Sequence, residues 1–479
     1  MRTAEEYKAD LYKMKPNVYI RGKRVSRNST ELSGGLNVIS KTFELVDHEY
    51  FKDLLTAHSH LTGKKINRFT HINQSVEDLM KKQELTRKIC RLVGGCIQRC
   101  MGCDAINGLA VATYYCDQEH GTDYYRRFVE YVKDFQERDF VAACAQTDVK
   151  GDRSKRPHEQ DDPDMYVRVV EKRSDGIVVR GAKNCITMAA IADEILVVPT
   201  RAMTEKDKDY SVAFAVPADA DGIKIVSRTT KLRAPEGFEM PQSEIGDDEN
   251  LIIFDDVFVP WERVFICEEN RYATLAAHLF ALFHRHSYTG CKPASTDIMI
   301  GFGALISDFN GVYDRPNVRE RLVELAATAE LVYAAGVASA IFGRKTPVAF
   351  IPNEVYANIG RRHAGLNYYR ELEILAELSG GLPACLPFAE DYLNPELRPL
   401  IEKYIKRRKD VPAEHVYRCL YGISNILCSS LGGVQAVAGV HGGGSPVMEE
   451  IMVWRSYDFE KRKEIAKYLV GILKEIPPP

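Results

Sequence analysis

The hydrophobic period of this chain changes twice, and those two changes bound what it can fold into. From residue 4 to about 140, apolar residues recur at three- and four-residue steps, in 47–61, 76–101 and 124–140, as in helices that bury one face. After Cys144 the pattern gives way to the polar segment Gln146-Thr147-Asp148-Val149-Lys150-Gly151-Asp152-Arg153, then to short apolar runs separated by turn dipeptides. The runs 165–170 and 177–180 flank Asp175-Gly176 and predict a hairpin, and 195–198, 212–216, 223–226 and 251–254 continue the series. From Tyr272 the helical period returns, over 297–312, 318–342, 354–378 and 413–431. The expectation is an α+β chain in three parts: a helical N-terminal domain over 1–145, a central β-barrel over 146–270 and a C-terminal helical bundle over 271–479.

At 479 residues the chain exceeds what one simple core serves. A net charge of -3 and a pI near 6.5, with no basic stripe, exclude a nucleic-acid footprint. Acids in Met1-Arg2-Thr3-Ala4-Glu5-Glu6 interrupt what a secretory signal would need, and no uncharged apolar run reaches bilayer length. The expectation is a cytoplasmic protein with no membrane partner. Its 12 cysteines, spread from Cys90 to Cys428, are then reduced thiols, available as ligands or packed as small hydrophobes.

Two stretches carry ligand spacing. Cys96-x3-Cys100 and His284-x3-Tyr288-x2-Cys291-Lys292 each place their polar residues at helical offsets of three, four or seven, which return to one face. Together they offer three thiolates and an imidazole, a set that fits an iron–sulfur cluster with one histidine ligand or a closed Cys3His zinc site. Cys103 shares the face of Cys96 and Cys100, although a core cysteine is its simpler role, and His286 falls on a different face from His284. Further on, His441-Gly442-Gly443-Gly444-Ser445-Pro446 allows close backbone approach to a ligand, and a tight turn explains the glycines as well.

Taken together, these motifs resemble the 4-hydroxyphenylacetate 3-hydroxylase flavoprotein family, and within it the 4-hydroxybutyryl-CoA dehydratase branch. The similarity also runs through 150–153, 175–183, 254–260 and the glycine loop, and the order helix, β, bundle is that of the acyl-CoA dehydrogenase architecture. The resemblance implies a [4Fe-4S] cluster on Cys96, Cys100, His284 and Cys291, and FAD contacted by Gln146, Thr147, Lys150, Gly151, Asp152, Arg153, Cys185, Thr187, Gly442, Gly443 and Gln98. It also implies active-site roles for His284, Tyr288, Glu249, Lys292 and Thr187, an acyl-CoA substrate and a homotetramer.

Dehydrating a 4-hydroxyacyl thioester requires loss of a C3 hydrogen that no carbonyl acidifies directly, so the implied chemistry is a flavin-assisted radical elimination, with Δ3-Δ2 enoyl-CoA isomerisation as a related activity. The branch's second catalytic carboxylate stands three residues before the loop histidine, where this chain has Ala438. Glu449 or Glu450 would have to fold back to replace it. The competing classes are a flavin-dependent phenol monooxygenase, which needs no cluster, and a structural zinc protein using the same four residues.

Overall fold

The computed structural model describes residues 1–232 and 234–476. Five helices frame its centre: α1 (Val76–Leu92), α2 (Cys100–His120), α3 (Asn270–Phe309), α4 (Pro316–Ile341) and α5 (Glu354–Ser379). Ser75 caps α1 by accepting from the Asp78 amide, and α2 stops where Gly121 turns left-handed at φ 64°. Helix α3 is the axis of the molecule and packs against the other four. Glycines set how closely they approach. A Cβ on Gly108 of α2 would stand 2.8 Å from the Phe280 backbone nitrogen, and one on Gly290 of α3 would stand 2.5 Å from the Gln83 carbonyl of α1.

Helix α3 continues through an internal Pro293, which removes the amide that would bond the Thr289 carbonyl. Gln83 fills the gap: its Nε2 donates to the Thr289 carbonyl at 3.3 Å and to the Tyr333 carbonyl at 2.8 Å. The residues between 284 and 292 therefore stay in one helical register.

Ten strands form two sheets: β1 (Val18–Ile20), β2 (Lys23–Val25), β3 (Ala142–Ala145), β4 (Arg168–Lys172), β5 (Gly176–Thr187), β6 (Glu194–Val197), β7 (Val212–Pro217), β8 (Ile223–Lys231), β9 (Gly246–Pro260) and β10 (Val264–Cys267). The six-stranded sheet runs β2-β1-β8-β9-β5-β4 and the four-stranded sheet β10-β7-β6-β3. They share a core in which the Phe214 and Phe254 rings meet edge-on at 6.0 Å.

The expected barrel is thus corrected: among the described residues the outer strands of the two sheets do not pair, so nothing closes. The edges are short strands drawn partly from the first 145 residues, and three-residue strands leave no readable alternation. The hairpin at Asp175-Gly176 forms as expected, with Val169 opposite Val179.

Several helical expectations shift. Residues 47–61 hold only a single turn, Lys52–Leu55, before a strand at Thr56–His58. The pattern over 76–101 breaks after Leu92, where Gly94, Gly95 and Gln98 take positive φ of 69°, 146° and 65°. Residues 297–312 extend α3 rather than forming a helix of their own, and 413–431 splits into Ala413–Leu427 and a helix from Ser430 capped by Ser429.

This packing predicts opposite outcomes for two glycines of α3. Gly290→Ala should cost about 1–3 kcal/mol by forcing α3 off the α1 backbone. Gly301→Ala meets nothing within 4 Å and should gain roughly 0.5–1 kcal/mol from helix propensity. Thermal unfolding of the two variants checks this, and equal midpoints would contradict it.

Candidate active site

The segment 93–99, not a helix face, delivers the first thiol. Cys96 lies in the loop between α1 and α2, and Cys100 is the first residue of α2. The single-face reading of Cys96-x3-Cys100 is therefore corrected, because the left-handed glycines unwind the chain before Cys96. The loop is pinned by Arg99, buried and bonded to Asp139 Oδ1 at 2.5 Å, with its guanidinium 4.2 Å from the Phe43 ring. The turn still joins the thiols: Cys100 donates to the Cys96 sulfur, which also accepts from the Gln98 amide at 3.3 Å. That sharing lowers the Cys96 pKa, and together with burial it holds Cys100 far above the usual thiol range.

The second stretch is helical as expected. His284, Tyr288 and Cys291 lie on one stripe of α3 with Phe280, whose ring stacks on the imidazole at 5.7 Å. Burial pushes the Cys291 thiol up to about 12, and the nearby Cys96 charge acts in the same direction. Cys96, Cys100 and Cys291 perturb one another, and Cys100 and Cys291 share one apolar cluster with Tyr288, so the two distant stretches converge. Donor atoms of Cys100, His284 and Asp104 lie within 4.8 Å of one another. Cys96 and Cys291 are not part of that compact set.

Around this centre lie three supports. Tyr288 donates from its hydroxyl to the carbonyls of Ala438 at 2.6 Å and Gly439 at 3.2 Å, and the Arg361 guanidinium lies 4.2 Å over its ring. Burial raises the Tyr288 pKa well above the phenol range, against the pull of Arg361, so the group is a neutral donor. Burial also lowers the pKa of Lys292, whose ammonium stands 4.1 Å from the Tyr368 ring centroid.

On β9, strand alternation gives Asp247 and Glu249 one face. Glu249 stands opposite Thr187 on β5 and accepts from its hydroxyl at 2.7 Å, while Gln98 Nε2 donates to Asp247 at 3.0 Å. Burial raises Asp247 to about 6 and Asp248 to about 7; burial and then the Asp247 charge raise Glu249 to about 8.

The glycine loop connects α6 (Ser430–His441) to α7 (Pro446–Ser456) and is held by arginines. Arg361 donates to the Gly442 carbonyl at 2.6 Å and the Val440 carbonyl at 2.8 Å, and Arg285 to the Gly443 carbonyl at 3.0 Å. A Cβ on Gly443, whose φ is 78°, would stand 3.5 Å from the His284 ring. The chain does fold back: Glu449 is 1% exposed and lies 3.4 Å from Arg361 Nε, whereas Glu450 pairs at the surface with Arg362. Burial raises the Glu449 pKa against the pull of Arg361 and Arg285.

Of the other predicted flavin contacts, Gln146 donates to the Ala277 carbonyl at 2.9 Å and the Thr147 carbonyl accepts from the Asn184 amide at 2.9 Å. Lys150, Gly151, Asp152, Arg153 and Cys185 lie on exposed surface. His286, set aside from the site, is satisfied by Ser339 and the Leu79 carbonyl, and Cys103 points its thiol at the His71 carbonyl. Sequence spacing missed Asp104, Lys82, Arg361 and Asp247. Only Asp247 left a signal, in the acidic run Asp247-Asp248-Glu249.

Comparison with known proteins follows the same lines. The N-terminal profile of the 4-hydroxyphenylacetate 3-hydroxylase family matches residues 3–266 and its C-terminal profile residues 273–471. The 4-hydroxybutyryl-CoA dehydratase/vinylacetyl-CoA-Delta-isomerase of Clostridium aminobutyricum is 34% identical over 98% of this chain and 100% of its own length. An oxygen-tolerant archaeal 4-hydroxybutyryl-CoA dehydratase from N. maritimus superposes with a TM-score of 0.95 at 34% identity, covering 100% of this chain and 96% of that one. The oxygenase component of 4-hydroxyphenylacetate 3-monooxygenase, solved with FAD, shares the fold with a TM-score of 0.88 at 24% identity over 99% of both chains.

The raised Glu249 carboxyl carries a pH signature. Its proton is held more tightly in the folded chain than in the unfolded one, so its contribution to stability is full below about pH 4 and is lost as the pH rises towards 8. Glu249→Gln should therefore be about 1–2 kcal/mol more stable than the wild type at pH 9 and equal to it at pH 4. Thermal unfolding at the two pH values checks it. An advantage independent of pH would contradict the assignment.

Proposed function

The chain belongs to the 4-hydroxyphenylacetate 3-hydroxylase family, and from that premise we propose that it is a lyase of the 4-hydroxybutyryl-CoA dehydratase type, dehydrating a 4-hydroxyacyl-CoA with FAD and a [4Fe-4S] cluster, with Δ3-Δ2 enoyl-CoA isomerisation as a second activity. The observation that carries this reading is the convergence of Cys96, Cys100, Cys291 and His284 in one buried space.

That donor set fits the cluster. It offers three sulfurs and one imidazole nitrogen, the donors that iron in such a cluster takes, and the Cys96 pKa is already lowered. Gln98, Thr187 and the 442–443 backbone lie beside the same space, which suits a flavin edge, and the relative of known fold was solved with FAD. When bound, FAD supplies reversible one-electron oxidation of the acyl thioester, and the cluster supplies a Lewis-acidic iron for the departing hydroxyl.

The chain's own residues handle the protons. His284, bonded at Nδ1 by Asp104, keeps Nε2 as the basic atom. Glu249 is protonated at neutral pH and oriented by Thr187, so its carboxyl can donate. Tyr288 keeps its proton and aims it at the 438–439 backbone, while Lys292 supplies a buried amine beside Cys291. With alanine at 438, the second carboxylate comes from elsewhere, and Asp247, two residues from Glu249 on the same strand face and raised to about 6, is the carboxyl that face offers.

The fold reading that accompanies this function is acyl-CoA dehydrogenase-like, in three parts over 1–145, 146–270 and 271–479. Helix α4 is long and apolar enough to cross a membrane, yet Arg321 and Arg370 pair with its Glu324 and Arg87 with its Glu330. Its exposed Val323 and Leu331, with Leu366 and Tyr369 on α5, supply apolar surface for further copies in a cytoplasmic homotetramer. The second reading, a flavin monooxygenase acting on a phenol, has the family in its favour and leaves the sulfur and imidazole set without a role.

Anaerobic incubation with 4-hydroxyacyl- and 3-enoyl-CoA thioesters, read by product mass, tests the proposal. Loss of water from a 4-hydroxyacyl-CoA is expected, and Ala438→Glu should raise that rate. Turnover of 3-enoyl-CoA alone would leave an isomerase. Inertness towards every thioester, with hydroxylation of a phenol by reduced flavin and oxygen, would contradict the lyase.

A further inference from the structure

Asp104 is wholly buried on α2 and is bonded by groups from α1 and α3. Its Oδ2 faces His284 Nδ1 at 2.9 Å, and its Oδ1 accepts from Ser287 Oγ at 3.0 Å and pairs with Lys82 Nζ. Lys82 is itself 1% exposed. Burying a carboxylate and an ammonium together is costly, and an apolar pair of the same volume would hold α1 against α2 at least as well. What the charged pair adds is an acceptor of fixed direction next to one imidazole nitrogen.

An ionised carboxylate has no hydrogen to give, so the hydrogen of this bond belongs to Nδ1, and Nε2 of a neutral His284 is left bare. Both carboxylate oxygens are already engaged, which makes Asp104 a support for the histidine rather than a ligand beside Cys100. We propose that Asp104, clamped by Lys82 and Ser287, is a positioning residue that fixes the Nδ1–H tautomer of His284 and presents Nε2 to the space shared with Cys96, Cys100 and Cys291. The inference rests on the reading of that space as a metal site. Carboxylates behind histidine ligands act this way in general, and their loss lowers metal affinity about 10–100-fold.

Cobalt(II) added to the full-length protein purified free of iron reports the ligand set, because thiolate and imidazole donors absorb differently. His284→Ala defines the spectrum of the site without imidazole. Asp104→Asn, and the double variant Lys82→Gln/Asp104→Asn that leaves no buried charge alone, should shift towards that spectrum and bind cobalt about 10–100-fold more weakly. Ser287→Ala, which removes one donor and no charge, should weaken binding several-fold. Wild-type spectrum and affinity in any of these variants that folds, judged by near-ultraviolet circular dichroism, overturns the positioning role while leaving the metal site intact. A wild-type spectrum already matching His284→Ala removes the imidazole from the site, and the metal reading and this inference fall together.

Discussion

Everything at the centre of this molecule depends on how closely α3 lies against α1 and α2. Gly108 and Gly290 let backbone meet backbone, where a single methyl group would stand under 3 Å from a neighbouring main-chain atom. That approach brings a loop cysteine, the first residue of α2 and a stripe of α3 into one buried space. Gln83 shows the same economy: it satisfies the carbonyl that Pro293 leaves unpaired and so keeps the stripe in register across a residue that would otherwise kink it.

Around the space, charge is arranged in matched layers. Lys82 and Ser287 hold Asp104, which holds His284; Arg361 and Arg285 hold the glycine loop, with Glu449 buried against them. On β9, Glu249 keeps its proton at neutral pH because burial and the Asp247 charge disfavour its ionisation. One side is thus rich in fixed cations and backbone carbonyls, and β9 carries carboxyl groups that can give up hydrogen near neutral pH.

Much of this was legible in the sequence where a pattern repeats, and little where the decisive contact is between distant single residues. The four-residue step from His284 to Tyr288 and the three to Cys291 survived because α3 is a regular helix. The same arithmetic failed for Cys96 and Cys100: positive φ at Gly94, Gly95 and Gln98 turns the chain out of the helix, yet the turn still joins the two sulfurs. The hairpin at Asp175-Gly176 was readable from its turn, whereas barrel closure was not, since three-residue strands near the N-terminus occupy the edge of one sheet. Asp104 and Lys82 lie 22 residues apart with no periodic relation to the histidine they support. The return of Glu449 depended on a loop whose path only the structure gives.

The central proposal is that three sulfurs and one imidazole nitrogen grip a four-iron cluster beside Asp247 and Glu249. The Mössbauer spectrum of protein grown on 57Fe and purified without oxygen measures this most directly. The account predicts a cubane signal in which one iron differs from the other three, with the signal of that one iron altered or lost in His284→Ala. Isolated mononuclear iron, or no iron in a correctly folded protein, would contradict it.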